Sequence, residues 1–323
     1  MPVTTAAIQA ELSSDRVLLV ANPIAGGRRG RKRLDEAIHL LRSHLTISEV
    51  RWTQNRGDAE TWARESVAKE ISLVIGWGGD GTLNEIANGL AGSAVALGIL
   101  PAGTTNVIAC ELDIPFNPVE AAKCLLNGRK ERVHLGCAEY SPLTNSSTDA
   151  KTASNRTTRC FFFAAGLGFD ALVCHRVNPA LKHWGRKAAY CFDGFRLFPG
   201  YRSPRLRVTI DNAEPVVCSE LIIAKARSYA GRFCISPDAS LHKPDLDACL
   251  FLRRGRWNLL RYAWGILRGK HLTYSDVACR KAQSIEVAAD DPVYLQLDGD
   301  TVGMAPARFT VRRDALSIIV PTV

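Results

Sequence analysis

Three short stretches in the first third of the chain carry the residue types that hold phosphate. They are Asn22-Pro23-Ile24-Ala25-Gly26-Gly27-Arg28-Arg29-Gly30, Gly76-Trp77-Gly78-Gly79-Asp80-Gly81-Thr82-Leu83-Asn84-Glu85 and Pro101-Ala102-Gly103-Thr104-Thr105-Asn106. Small residues there leave backbone N–H groups open to an anion, and a helix that follows adds the positive end of its dipole. The first is not a Walker A loop, since it has no Gly-Lys-Ser/Thr. Gly76, Gly78 and Gly81 also satisfy the G-x-G-x-x-G spacing of nicotinamide dehydrogenases. That fingerprint belongs after the first strand of its unit and calls for an acid roughly 20 positions later to hold the ribose. The matching region, Leu97 to Gly103, contains none. A plain tight turn would account for the glycines but not for Asp80, Asn84 and Glu85 arriving together.

The elements that must position these loops can be read from apolar periodicity. Asp15 to Asn22 reads as a strand, and Leu34, Ala37, Ile38, Leu41 and Leu45 then recur at helical spacing. A weaker strand lies near Ile47 to Thr53, followed by a helix marked by Ala59, Trp62, Ala63 and Val67. Ile71 to Ile75 and Ala94 to Leu100 are further strands, with a helix from about Leu83 to Leu90 between them. Asn117 before Pro118 is a helix start. Such alternation predicts an α/β N-terminal domain, residues 1–130, with an open parallel sheet whose ligands bind at the carboxyl ends of the strands.

From Arg129 onward strands dominate: Arg132 to Leu135, Phe161 to Ala165, Arg205 to Ile210, Ser219 to Ala224, Ala248 to Leu252, Ser284 to Val287 and Val293 to Leu297. This predicts a mostly antiparallel, β-rich C-terminal domain over 131–306. Residues 141–158, rich in Ser, Thr, Asn and charge, read as a disordered loop without a core. Two basic, aromatic stretches interrupt the domain. One runs from Ala180 to Tyr201. The other runs from Arg253 to His271, with Trp257, Leu260, Trp264 and Leu267 at helical spacing among five arginines and a lysine. Two readings are open for each: docking on an anionic membrane surface, or a helix whose aromatic stripe packs on the sheet while its charges are solvated.

The whole chain, 323 residues with 46% hydrophobic and 23% charged residues, has an ordinary globular composition and room for two cores. No run approaches the roughly 20 apolar residues of a membrane-spanning helix, and Met1 to Leu12 lacks the basic start of a secretory signal. Ten scattered cysteines without a CxxC pair predict buried reduced thiols and a cytoplasmic protein, not a disulfide scaffold. The net charge of +9 implies an acidic partner. No nucleic-acid motif accompanies it, and oligomeric state is not legible.

Asn22-Pro23 with Gly26, the block Gly78 to Glu85 with Asn88-Gly89, and Pro101-x-Gly103-Thr104-x-Asn106 resemble the signature loops of the diacylglycerol kinase catalytic-domain family, which includes sphingosine and ceramide kinases and bacterial lipid kinases. The likeness continues through Gly166 to Ala171, Lys187 to Phe198, Ser236-Pro237-Asp238-Ala239 and Asp298-Gly299-Asp300. It implies an ATP-dependent, magnesium-assisted kinase that phosphorylates a lipid hydroxyl, with ATP in a cleft and the lipid received by the β-rich domain. It also implies that the last strand, about 307–323, returns to the first domain. Residue by residue, the nucleotide contacts fall on Asn22, Pro23, Ile24, Ala25, Gly26, Thr53, Gly78, Gly79, Asp80, Gly81, Thr82, Leu83, Asn84, Glu85, Gly103, Thr104 and Asn106, with Asp80 near magnesium. Asp298 and Asp300 fall on the segment whose final acid takes the proton of the attacking hydroxyl, a need that phosphoryl transfer itself imposes.

Several positions depart from the family pattern. Val107, His134 and Lys243 stand where acids are usual, and Asp300 is one methylene shorter than the usual Glu. An ammonium cannot ligate metal, so Lys243 either abolishes the family's structural magnesium site or replaces its charge. The rival functions are a kinase acting on NAD, which shares a Gly-Gly-Asp-Gly loop, and a catalytically silent nucleotide or lipid sensor.

Overall fold

The computed structural model describes residues 16–143, 156–176, 193–229 and 233–322. Most of the expected coreless loop, Ala180 to Phe192 of the first basic stretch, and the N-terminal segment lie outside the described residues. The chain divides into two units, one from its start to Leu135 together with Arg313 onward, the other from Gly136 to Arg312.

In the first unit, strands β1 (Arg16–Ala21), β2 (Thr46–Trp52), β3 (Ile71–Gly78) and β4 (Ala96–Pro101) alternate with helices α1 (Gly27–Arg42), α2 (Asp58–Ala68) and α3 (Asp80–Leu90). The short α4 (Val107–Glu111) and α5 (Pro118–Asn127) follow. The strands lie in the order β2-β1-β3-β4, all parallel. The end of the last strand, β17 (Asp300–Val320), extends this sheet beside β4, with Ser317 opposite Ala96. β1 and β4 are buried along almost their whole length, as an inner parallel strand requires. Leu34, Ala37 and Leu41 form the buried stripe of α1. Asn117 caps α5 by accepting a hydrogen bond from Val119 N at 3.0 Å, with Pro118 at the first helical position. A Cβ on Gly89 of α3 would stand 2.4 Å from Glu60 O, so the contact of α2 with α3 depends on that glycine.

The second unit is mostly antiparallel. β13 (Leu246–Phe251) lies between β14 (Val277–Ala282) and β10 (Glu220–Ala224), and β7 (Ala164–Leu167) lies between β10 and β16 (Tyr294–Leu297). β15 (Ser284–Ala289) pairs with β8 (Leu206–Ile210) and with β17, and β6 (Thr157–Phe161) pairs with the later half of β5 (Arg129–Pro142). Phe161, Leu221, Ile223, Leu250, Leu295 and Phe309 are fully buried in its core. β9 (Val216–Cys218) pairs with β8, β11 (Ser228–Tyr229) pairs with β12 (Phe233–Cys234), and helices α6 (Phe169–Arg176) and α7 (Arg256–Leu267) complete its main elements.

Two expectations are corrected. The strand expected over Phe161 to Ala165 is broken at Phe162 and Phe163, whose N–H groups, with that of Ala164 at the start of β7, turn to the Asp298 carboxylate. The cysteines are not all reduced: Cys137–Cys160 and Cys249–Cys279 are disulfides. Each joins residues directly opposite on neighbouring antiparallel strands, where Cα atoms 4.1 Å apart bring the thiols together.

Candidate active site

Because β1, β3 and β4 are parallel neighbours, the loops after them emerge along one edge of the sheet, and backbone hydrogen bonds lace them together. Asn22 N donates to Trp77 O at 2.9 Å, Gly26 N to Ala102 O at 3.1 Å and Ala102 N to Gly78 O at 2.9 Å. Side chains add to the lacing. Asn22 Nδ2 donates to Thr82 Oγ1 at 3.2 Å, while Asn22 Oδ1 accepts from Ile24 N at 3.0 Å and fixes the first turn. Asn106 Oδ1 accepts from Gly103 N at 2.8 Å, and Asp80 Oδ1 accepts from Ile108 N at 3.1 Å, tying the second loop to the start of α4. Thr53 N, after β2, reaches Ala21 O at 2.9 Å.

The loops also approach too closely for side chains. A Cβ on Gly103 would lie 2.7 Å from Gly79 Cα, and one on Gly26, at φ +71°, would press on the Trp77 ring and Gly30. Both α1 and α3 start from glycines, Gly26 and Gly79, with no side-chain cap, so the positive end of each helix dipole meets these loops without a side chain in between. Not every residue carried over is at this surface. Leu83 is fully buried, and Asn84, 6% exposed, meets Asn88 Nδ2 at 3.0 Å inside the unit. Pro23, Ile24 and Thr104 are exposed, while Ala25, Gly81 and Glu85 are half-buried.

In the second unit, the turn Asp298-Gly299-Asp300 is held from beneath. Asp298, at φ 50°, places Oδ2 2.7 Å from Phe162 N and Oδ1 2.9 and 3.1 Å from Phe163 N and Ala164 N. Its own N–H donates to Ala164 O at 2.9 Å. Gly299 N donates to Gln296 Oε1 at 2.7 Å, and Gln296 Nε2 donates to Asp170 Oδ2 at 2.8 Å. Asp170 is raised above the usual carboxylate range, first by burial, although Tyr229 and Gln296 hydrogen-bond to it. Asp300, which follows this scaffold, is half-buried.

Beside Asp170 lies Glu220, with Oε2 2.6 Å from Phe169 N and Oε1 2.6 Å from Tyr201 Oη. Burial, aided by the Asp170 charge, pushes the Glu220 carboxyl up to about 8. Burial and the Glu220 charge push the Tyr201 phenol up as well. Gly168, at φ +123°, must be glycine, since a Cβ would sit 2.0 Å from Glu220 Oε2.

Comparison with known proteins follows the same division of the chain. Residues 16–138 match the diacylglycerol kinase catalytic domain, and residues 164–320 match the YegS C-terminal NAD kinase beta sandwich-like domain. The chain pairs a diacylglycerol kinase catalytic domain with a YegS-type C-terminal domain, and at that level it is a lipid kinase. The diacylglycerol kinase of Bacillus subtilis (strain 168) is 26% identical over 312 residues, covering 95% of this chain and 96% of its own length. That of Mycobacterium tuberculosis (strain H37Rv) is 29% identical over 311 residues, covering 95% of each. A crystal structure from Bacillus anthracis str. Sterne superposes with a TM-score of 0.73 at 21% identity over 95% of each chain, which establishes the fold.

The departures from the diacylglycerol kinase pattern have structural explanations. Val107 is buried at the first turn of α4, where Asp80 already meets the neighbouring N–H. His134 Nδ1 accepts from Asp314 N at 2.8 Å, so it ties β5 to the returning strand as an acceptor. Sequence reasoning missed Lys225, which follows an apolar strand and is itself fully buried. Its Nζ donates to Lys243 O at 2.8 Å and to Ser240 O, and Lys243 Nζ donates to Asp238 O at 2.7 Å. With two ammonium groups satisfied by its carbonyls, segment 236–244 does not fit a structural magnesium. Among the described residues no three His, Cys, Asp or Glu side chains are grouped to hold a metal.

Proposed function

We propose that this lipid kinase transfers the γ-phosphoryl group of ATP to the hydroxyl of a membrane lipid, diacylglycerol or sphingoid-like. One observation carries the reading: three glycine-bearing loops are laced at one sheet edge, with the uncapped starts of α1 and α3 beside them. Bound there, Mg-ATP supplies the phosphoryl group, and the metal neutralises charge that develops on it. Asn22 to Gly26, Thr53, Gly78 to Thr82, Gly103, Thr104 and Asn106 form the nucleotide site, in which the starts of α1 and α3 and short polar side chains meet the phosphates while the laced N–H groups hold the loops in shape. Leu83 and Asn84 support it from within. Asp80 works chiefly as a strut through Ile108 N, and a magnesium beside it would be held mainly by phosphate and water.

Asp300 accepts the proton of the attacking hydroxyl. Asp298, with Gln296 and Asp170 behind it, fixes the turn that presents Asp300 and is a positioning residue. Peripheral, not spanning, contact with the membrane agrees with there being no helix among the described residues long and apolar enough to cross one.

The test is a vesicle assay with labelled ATP and a panel of lipid alcohols, with NAD as a further acceptor. Labelled lipid is expected, with turnover lost in Asp300→Asn while ATP binding persists and restored in part by Asp300→Glu. Full activity in Asp300→Asn would remove its role as base. Phosphorylated NAD, or binding without turnover, would overturn the proposal as a whole.

A further inference from the structure

Helix α7 turns its apolar stripe outward. Trp257, Leu260, Trp264 and Leu267 recur at i, i+3, i+7 and i+10, and they are 73%, 44%, 57% and 56% exposed. The opposite face anchors the helix. Tyr262 is buried against Phe251, with ring centroids 5.0 Å apart, and its hydroxyl donates to Asp276 at 2.7 Å. Gly265 lies so close to Tyr274 that a Cβ would stand 2.7 Å from the ring. Arg261 pairs with Asp276 and lies 4.7 Å over the Tyr274 ring. Rolling the tryptophans inward would break every one of these contacts, so packing of the aromatic stripe on the sheet is excluded.

The surrounding charge selects what covers the stripe. From Arg253 to Ser275 there are five arginines and one lysine and no acid. Arg256 and Arg268 are exposed beside the stripe, and the Arg268 guanidinium rests 5.5 Å from the Trp264 ring. Indole rings with flanking cations match the interfacial region of a bilayer, where the rings sit among headgroups and the cations meet phosphates. We infer that α7 is the element that seats the protein on a bilayer bearing anionic phospholipids, with Trp257 and Trp264 in the headgroup layer and Arg256 and Arg268 on lipid phosphates. This deepens the proposed function by naming the contact with the membrane, and it shares no residue with the nucleotide or proton-accepting sites.

The test is co-sedimentation of the full chain with phosphatidylcholine vesicles, and with vesicles of phosphatidylcholine and phosphatidylglycerol in equal amounts, without nucleotide. Binding is expected on the anionic vesicles. It should fall about tenfold or more in the double variant Trp257→Ala, Trp264→Ala. In Arg256→Gln, Arg268→Gln it should fall about tenfold, with a weaker salt dependence. Melting temperature checks that the variants fold. Binding unchanged in the tryptophan variant would overturn the inference, as would equal binding to both vesicles. So would a wild-type dimer in solution that becomes monomeric in that variant, since the stripe would then join two copies. Turnover on a short-chain, water-soluble lipid alcohol separates the two proposals. Sedimentation that responds to the substitutions supports docking even where that turnover is absent, and its absence in wild type counts against the kinase reading alone.

Discussion

At the scale of single residues, the acids of the second unit divide into those whose charge is gathered by several N–H groups and those in which burial outweighs the hydrogen bonds they accept. Asp298 belongs to the first kind. Asp298→Ala leaves three backbone donors without their acceptor and should cost about 3 kcal/mol in urea unfolding, whereas Asp300→Asn should leave stability unchanged. Glu220 belongs to the second. Its carboxyl ionises near 4.5 in the unfolded chain and near 8 in the folded one, so between those values the native state keeps a proton that the unfolded state has lost. The stability associated with it is therefore greatest at and below the lower value, declines as pH rises through the interval and levels off above the higher one. Glu220→Gln should flatten the fall in melting temperature across that interval, and parallel curves for the two proteins would refute the assignment. Asp298 and Asp300 were legible as a motif. Gln296, Asp170, Glu220 and Tyr201 were not, because they converge from separate strands and loops and no local spacing marks them.

At the scale of elements, the loops were legible because glycine and Asx residues leave a mark wherever backbone must approach backbone. Gly103 carries a direct test. Gly103→Ala would force its loop from Gly79, and ATP affinity measured by calorimetry should weaken about tenfold or more with little change in the fold. Helix α7 was legible as a helix, yet periodicity alone did not say which way its stripe faced. Tyr262 and Gly265 decided that by packing, and an aromatic stripe reads the same from either side. The expected strand through Phe161 to Ala165 failed for a related reason, since the carboxylate that interrupts it comes from Asp298, far along the chain.

At the scale of the molecule, the two disulfides fall within the second unit, while Cys110 and Cys124 of the first are free. Their loops span 23 and 30 residues, each worth about 3 kcal/mol of chain entropy. Reductant should therefore lower hydrogen-exchange protection in peptides from Gly136 to Arg312 and spare those from Arg16 to Leu135. Equal loss in both would contradict the pairing. No sequence pattern announced these bonds, because strand register alone makes Cys137 and Cys160, or Cys249 and Cys279, opposite neighbours. The alternation of the first unit and the strand-rich grammar of the second were plain from the chain itself, since each follows from which residues must be buried. Lys225 carries a last consequence. A cation that is part of the chain cannot leave as a bound metal ion can, so its hold on segment 236–244 does not depend on divalent ions and is indifferent to chelators. EDTA should leave the melting temperature where it was, and Lys225→Met should lower it by removing about 2 kcal/mol or more. A lipid kinase built this way keeps its shape in media where divalent ions are scarce.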